Sequence, residues 1–457
     1  MGKKYNYDYI IIGGGPAGTT AAILLARAKK NVAIIEGTAI GGANLNTRDI
    51  PYALSLGFSH TFAGLARYPE IGGSTPHFNF PSVIAASDRI IKSLTAKTLT
   101  ELKTAGVNII PGFANFLDSH TVAVANKQFT ARFFILATGA KLKTSEISGL
   151  DTVDYLTPDT AIKVRRLPKV AFVIGGGPTG CEIAEYYASL GAKVIIMELG
   201  PRLLPREDEE VGATIQSYFD KELGILSILN SKVVAIEQSG NVKNVIFTTG
   251  GREKMVRVDC VILATGSLPV TDYGLENAGV KYDKNGISVN KSLQTTAKNI
   301  YAIGDAIGKH SSTERAEYEA SVLAINLTSR AKTILSYTGF VRRTDTFPAV
   351  ATIGLNELDL VKRDRKYKKS IVYLKDLPAG IISRSPYGFV KILADTHSDR
   401  ILGATIVAPD AALIAGEFSL ALRHRLTTLA LASTPHPSNS ASLAVKLAAR
   451  QLVSKTK

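Results

Sequence analysis

Cysteine is scarce: two residues in 457, Cys181 and Cys260, far apart and each inside an apolar stretch. That excludes a disulfide framework and a thiolate metal cluster, and leaves two buried thiols in a reducing cytoplasm as the plain reading, with no metal site expected. Long apolar runs are missing as well. The uncharged stretch from Tyr9 to Ala26 is broken by Gly13, Gly14, Gly15 and Pro16, which argues against a membrane span. The chain does not open with the basic, apolar and small-residue succession of a secretory signal, so a soluble cytoplasmic protein is the expectation.

The charge is not balanced: the net formal charge is +15, favouring anionic ligands, nucleic acid or acidic surfaces. Most of the excess is spread along the chain. One dense run, Lys362, Arg363, Arg365, Lys366, Lys368 and Lys369, lacks the aromatic spacing of a nucleic-acid module and reads as a solvated loop or hairpin, so no nucleic-acid partner is expected. An apolar content of 45% over this length supports two to four domains with real cores.

What is present is glycine in a pattern. The apolar run Tyr9, Ile10, Ile11, Ile12 predicts a buried parallel strand leading into Gly13-Gly14-Gly15-Pro16-Ala17-Gly18 and an alanine-rich helix. A second strand, Val32 to Ile35, closes on Glu36, 18 residues past Gly18. This is a dinucleotide fingerprint. Gly13 permits the tight turn, Gly15 lets the backbone approach a pyrophosphate, and Gly18 lets helix pack on strand; the acid accepts from ribose hydroxyls. The pyrophosphate is favoured at the helix N-terminus by free N–H groups and the dipole.

The construction returns as Val170 to Ile174, Gly175-Gly176-Gly177-Pro178-Thr179-Gly180, a helix, and Val194 to Met197 ending in Glu198, again 18 residues past the third glycine. Two complete units at identical spacing imply two dinucleotides. Ile135-Leu136-Ala137-Thr138-Gly139 and Ile262-Leu263-Ala264-Thr265-Gly266 each end a unit at a small-residue crossing point. Ile300 to Asp305 predicts another buried strand ending in a carboxylate. Residue type alone leaves open whether Asp305 binds a polyol hydroxyl or caps the next helix.

Together these motifs resemble the pyridine nucleotide-disulfide oxidoreductases, the family of lipoamide dehydrogenase, glutathione reductase and mercuric reductase, over essentially the whole chain. Thr346 to Gly354 resembles the opening of that family's dimerisation domain, and His436-Pro437-Ser438 its closing motif. The resemblance implies an α/β protein with two Rossmann-like domains and a C-terminal α+β dimerisation domain, hence a homodimer. The expected boundaries are 1–147 and 268–339 for FAD, 148–267 for NAD(P), and 340–457 for dimerisation. It implies FAD contacts from Gly13, Gly15, Pro16, Ala17, Gly18, Glu36, Gly41, Gly42, Ala114, Thr138, Gly139, Gly304 and Asp305. Gly175, Gly177, Thr179, Gly180, Glu198 and Gly266 are the corresponding NAD contacts.

The departures bear on function. Where the family carries two glycines, a cysteine, four residues and a second cysteine, then Ile-Pro and a nearby lysine, this chain reads Gly41-Gly42-Ala43-Asn44-Leu45-Asn46-Thr47-Arg48-Asp49-Ile50-Pro51-Tyr52-Ala53. Asn44 and Asp49 take the cysteine positions, and neither Tyr52 nor Ala53 is lysine. Disulfide exchange needs a thiolate, which neither amide nor carboxylate can replace. His436 remains, but the family's glutamate five residues on is Ala441, which predicts a histidine without its orienting partner. Pro178 stands where a tyrosine often covers the nicotinamide, and Ser267 where an arginine follows the second Thr-Gly.

The expected function is an FAD-dependent NAD(P)H dehydrogenase of the diaphorase or quinone-reductase kind, passing electrons to a non-disulfide, quinone-like acceptor. A nicotinamide transhydrogenase and a non-catalytic FAD/NAD-binding sensor or scaffold are the alternatives. Glu198 favours NAD(H), since a carboxylate repels a 2′-phosphate; Arg202 and Arg206 argue the other way. Asp49 and His436 are the candidate catalytic residues. Asp49 either assists proton transfer or pairs with Arg48 as structure.

Overall fold

The structure is a computed structural model and describes residues 5–65, 70, 78–144, 146–308 and 312–453. The chain divides into two compact units: 1–52, 82–144 and 266–337 form the first, and 53–81, 145–265 and 338–457 the second.

The first unit is built on parallel strands in the order Asn108–Pro111, Val32–Glu36, Tyr7–Ile12, Lys127–Leu136 and Ile300–Ala302. Ile10, Ile11, Ile34, Phe134, Ile135 and Ile300 have no exposed surface, as continuous apolar runs covered on both faces require. Helix Pro16–Arg27 lies against helix Thr313–Thr328, and its alanines Ala17, Ala21 and Ala22 are buried in the core of this unit. The first residues of Lys127–Leu136 pair antiparallel with Thr121–Val124, which pairs in turn with Ala114–Asp118.

The second unit contains a parallel sheet in the order Leu226–Ile228, Lys193–Met197, Val170–Ile174 and Cys260–Leu263, with helix Pro178–Ser189 after the central strand. It also contains the C-terminal five-stranded antiparallel sheet, Val341–Thr344, Ala349–Gly354, Ile401–Ala408, Phe389–Asp395 and Tyr367–Tyr373. Helices Ala411–Arg423 and Leu443–Leu452 bury Ile414, Phe418, Val445 and Ala448 in the core of that sheet. A polar cluster ties the C-terminal sheet to the heads of helices Glu209–Leu223 and Glu357–Lys362. Lys391, with no exposed side-chain surface, places its Nζ 2.6 Å from Asp208, 2.9 Å from Glu210 and 2.8 Å from Glu357.

Half of the basic run is ion-paired. Arg365 lies 3.2 Å from Asp395, Lys369 lies 3.0 Å from Glu357, and Lys368 pairs with Asp399. It spans the end of helix Glu357–Lys362 and the start of strand Tyr367–Tyr373. Among the described residues no helix is long and apolar enough to cross a membrane.

Candidate cofactor sites and the Asn44–Asp49 pair

The glycines of the first fingerprint divide by what surrounds them. An added Cβ on Gly13, at φ +109°, would stand 2.2 Å from the Ala137 carbonyl oxygen, and one on Gly18 only 1.9 Å from the Gly13 oxygen. Both are closed by packing. Gly15 faces open space instead, its nearest neighbour to such an atom being Gly42 Cα at 3.9 Å. This is the approach a pyrophosphate needs, at the head of helix Pro16–Arg27. Gly42, at φ +55°, would drive a Cβ to 2.7 Å from Gly15 Cα, so Gly41-Gly42 forms the opposite lip of one cradle.

Glu36 ties the turn together. One carboxylate oxygen accepts from the Gly14 N–H at 2.6 Å, and the other accepts from the Thr38 N–H and hydroxyl at 2.7 Å. An added Cβ on Gly304 would lie 3.2 Å from Ala17 Cβ, so the end of strand Ile300–Ala302 delivers Gly304 and half-buried Asp305 to the same helix N-terminus. The Gly304 N–H donates to fully buried Glu319 at 2.7 Å, and Glu319 also accepts from Arg315 Nε and the Tyr337 hydroxyl, each at 2.7 Å. Burial first, then Glu319, push the Tyr337 hydroxyl well above its ordinary range. Arg315 and Glu319 are a local pair four residues apart on helix Thr313–Thr328, whereas Gly304 and Tyr337 reach Glu319 only when that helix docks. Thr138 donates to the Val270 carbonyl at 3.2 Å, Gly139 takes φ +71°, and Ala114 opens its strand with its side chain buried. An open cradle with a carboxylate at each end fits FAD.

The second fingerprint repeats this geometry. An added Cβ on Gly175 would lie 2.5 Å from the Ala264 oxygen and one on Gly180 1.9 Å from the Gly175 oxygen, while Gly177 is open and Pro178-Thr179 begin the helix. Glu198 accepts from Gly176 N–H at 2.7 Å and Gly200 N–H at 2.8 Å. Four residues on in the chain, Arg202 Nε is buried without a hydrogen-bond partner among the described residues, and Arg206 is exposed. This cradle fits a nicotinamide dinucleotide. Gly266, at φ +94°, opens the return into the first unit.

Asn44 and Asp49 meet. Asn44 Nδ2 donates to Asp49 Oδ2 at 3.0 Å and to Thr313 Oγ1 at 2.7 Å, and Thr313 Oγ1 donates in turn to Asp49 Oδ2. The triangle is internally consistent, since the amide offers two protons and the hydroxyl accepts one and donates one. Among the described residues Asp49 accepts from Asn44 and Thr313, and Arg48 Nη1 donates to Ser267 Oγ at 3.3 Å. Thr313 follows Ser312, which caps helix Thr313–Thr328 by accepting from Arg315 N–H at 3.2 Å. The run of hydroxyls ahead of Glu314 is a helix-start signal that sequence reasoning passed over.

The cysteines lie elsewhere, both free. Cys181, on helix Pro178–Ser189, is pushed well up by burial and then by Glu182, Glu185 and Glu198. Burial pushes Cys260 up to about 11. Both are held as thiols, the wrong state for a nucleophile.

The expectation that His436 stands without an orienting carboxylate is corrected. Its side chain is 4% exposed, with Nε2 3.0 Å from Glu417 and Nδ1 2.9 Å from the Thr434 carbonyl. Glu417 comes from helix Ala411–Arg423, 19 residues back in the chain, so the vacancy at Ala441 is filled from another element.

Two dinucleotide cradles on parallel sheets define a flavin-dependent pyridine nucleotide oxidoreductase. The chain belongs to the pyridine nucleotide-disulphide oxidoreductase family, whose model matches residues 7–320 and whose dimerisation-domain model matches 344–449. It is 31% identical to a mercuric reductase of Streptomyces lividans over 98% of this chain and 96% of that protein. It is 30% identical to a dihydrolipoyl dehydrogenase of Thermus scotoductus over 94% of each. The solved HOCl-induced flavoprotein disulfide reductase RclA of Escherichia coli shares the fold at TM-score 0.88 and 24% identity, over 98% of this chain and 100% of that one.

Proposed function

We propose that this flavoprotein takes reducing equivalents from NADH and delivers them to a non-disulfide, quinone-like acceptor, as a homodimer. The observation carrying this reading is the Asn44–Asp49–Thr313 triangle at the positions where the resemblance places the cysteine pair. When bound, FAD supplies hydride acceptance from nicotinamide and electron release to the acceptor. The chain's own residues bind and orient. Gly15 and Gly42 admit the pyrophosphate, Asp305 takes a ribitol hydroxyl, and Gly177 admits the second dinucleotide. Asp49 is oriented by two donors to Oδ2, and its other oxygen, Oδ1, accepts or returns a proton as the acceptor is reduced. His436, oriented by Glu417, serves as a second proton source.

Glu198 supports NADH, because its charge opposes a 2′-phosphate. The unpartnered Nε of Arg202 favours a second reading, a transhydrogenase that also accepts NADP(H). Anaerobic stopped-flow with NADH and NADPH, followed by quinones, ferricyanide, oxygen, NADP⁺ and lipoamide as acceptors, separates these readings. Fast reduction by NADH with quinone turnover is expected; turnover with lipoamide would overturn the reading. Hydride passing efficiently from NADH to an NADP⁺ analogue would favour the transhydrogenase, and negligible reduction by either nucleotide a non-catalytic role.

A further inference from the structure

Next to each ribose-binding acid stands a large apolar side chain that the fold leaves in solvent. Phe113 follows strand Asn108–Pro111 and is 75% exposed. An added Cβ on Gly37, the residue after Glu36, would lie 2.4, 2.5 and 2.7 Å from three atoms of the Phe113 ring. The ring therefore rests on the Gly37 backbone with its other surface open. Gly112 N–H donates to the Glu36 carbonyl at 2.9 Å and fixes that placement. In the second unit the residue after the acid is not glycine but Leu199, itself 70% exposed. The apolar surface is supplied once from a neighbouring loop and once from the strand end, at equivalent places beside Glu36 and Glu198.

A dinucleotide whose ribose is held by Glu36 has its adenine just beyond that acid, at the carboxyl edge of strands Val32–Glu36 and Asn108–Pro111. Stacking a base on an exposed aromatic ring removes apolar surface from water on both partners. We propose that Phe113 is the platform for the adenine of FAD and that Leu199 serves the adenine of the nicotinamide nucleotide. Gly37 is then required, since any side chain there would displace the ring.

The test reads binding, so its failure leaves the proposed electron acceptor untouched. FAD and NADH affinities are measured on the full-length chain for Phe113→Ala, Phe113→Tyr and Leu199→Ala, together with the melting temperature of the FAD-free protein. Phe113→Ala is expected to weaken FAD by roughly fivefold to a hundredfold, the range of base–aromatic stacking, with NADH affinity unchanged. Phe113→Tyr is expected to stay within about twofold of wild type, because the ring is kept. Leu199→Ala is expected to weaken NADH severalfold and leave FAD unchanged. Unaltered or tighter FAD binding in Phe113→Ala would overturn the proposal, showing a ring that is idle or obstructs the site. So would a melting temperature of the FAD-free chain lowered in step with the binding loss, which marks a structural role, or equal losses for both nucleotides in either variant.

Discussion

Asn44 and Asp49 face each other across five residues, the amide nitrogen 3.0 Å from the carboxylate, where the family resemblance places a cysteine pair. A hydrogen bond stands in place of a covalent bond. It orients Asp49 without supplying a group that can carry two electrons, and Thr313 binds both partners from the helix Thr313–Thr328.

Asp49→Asn removes the charge while keeping the shape. Flavin reduction by NADH should be unchanged, and reoxidation by quinone should slow about a hundredfold or more if Asp49 moves the proton. Stopped-flow measurement of the two half-reactions separates the steps; equal slowing of both, or of neither, speaks against the role. Thr313→Val should slow reoxidation less, because Asp49 keeps Asn44.

Gly15 and Gly18 predict opposite phenotypes. Gly15→Ala meets open space at an ordinary φ of −74°, so the fold should survive while the flavin content after purification falls. Gly18→Ala puts a Cβ 1.9 Å from the Gly13 oxygen and should destabilise the first unit itself. Far-UV circular dichroism melts beside the flavin-to-protein absorbance ratio distinguish loss of fold from loss of ligand.

Lys391→Met leaves Asp208, Glu210 and Glu357 without their central cation, a buried pair broken from one side. A loss of about 3–5 kcal/mol is expected from such a change, read as a lower urea midpoint at an unchanged slope.

The same cluster sets a pH dependence. Burial works to raise the Glu357 carboxyl, but hydrogen bonds from Lys391, Tyr367 and Lys369 outweigh it and hold the pKa at about 2. Its folded pKa is below its unfolded value, so its contribution is present above about 4.5 and is lost as pH falls toward about 2. Lys391 is raised: burial lowers it, and the three carboxylates more than compensate. Its contribution is complete below its ordinary value of 10.5 and is lost as pH rises through the higher folded value. Urea midpoints across pH 2–5 should fall on acidification, and Glu357→Gln should flatten that fall.

Glu198→Gln exchanges a charged acceptor for a neutral one at the Gly176 and Gly200 N–H groups. The proposed preference for NADH over NADPH should shrink by about tenfold in reduction kinetics, the scale of one charge contact of roughly 1.4 kcal/mol.

The strands, turns and acids of both cradles could be read from sequence because their determinants are local. A buried strand, a turn that tolerates only glycine and an acid at fixed distance all fall within about thirty residues. The Asn44–Asp49 contact lies within that reach as well. Thr313 lies 264 residues from Asp49, Glu417 19 residues from His436, and Lys391 181 residues from Glu210; each reaches its partner only through packing of separate elements. The expectation of an unpartnered His436 failed for this reason, since it searched the next turn of chain while the carboxylate arrived from a different helix. By itself the sequence determined two phosphate cradles and the absence of a thiol pair, both set by which atoms each residue carries. Only the tertiary structure decided which side chains meet Asp49, His436 and Lys391, because those partners are chosen by proximity in space.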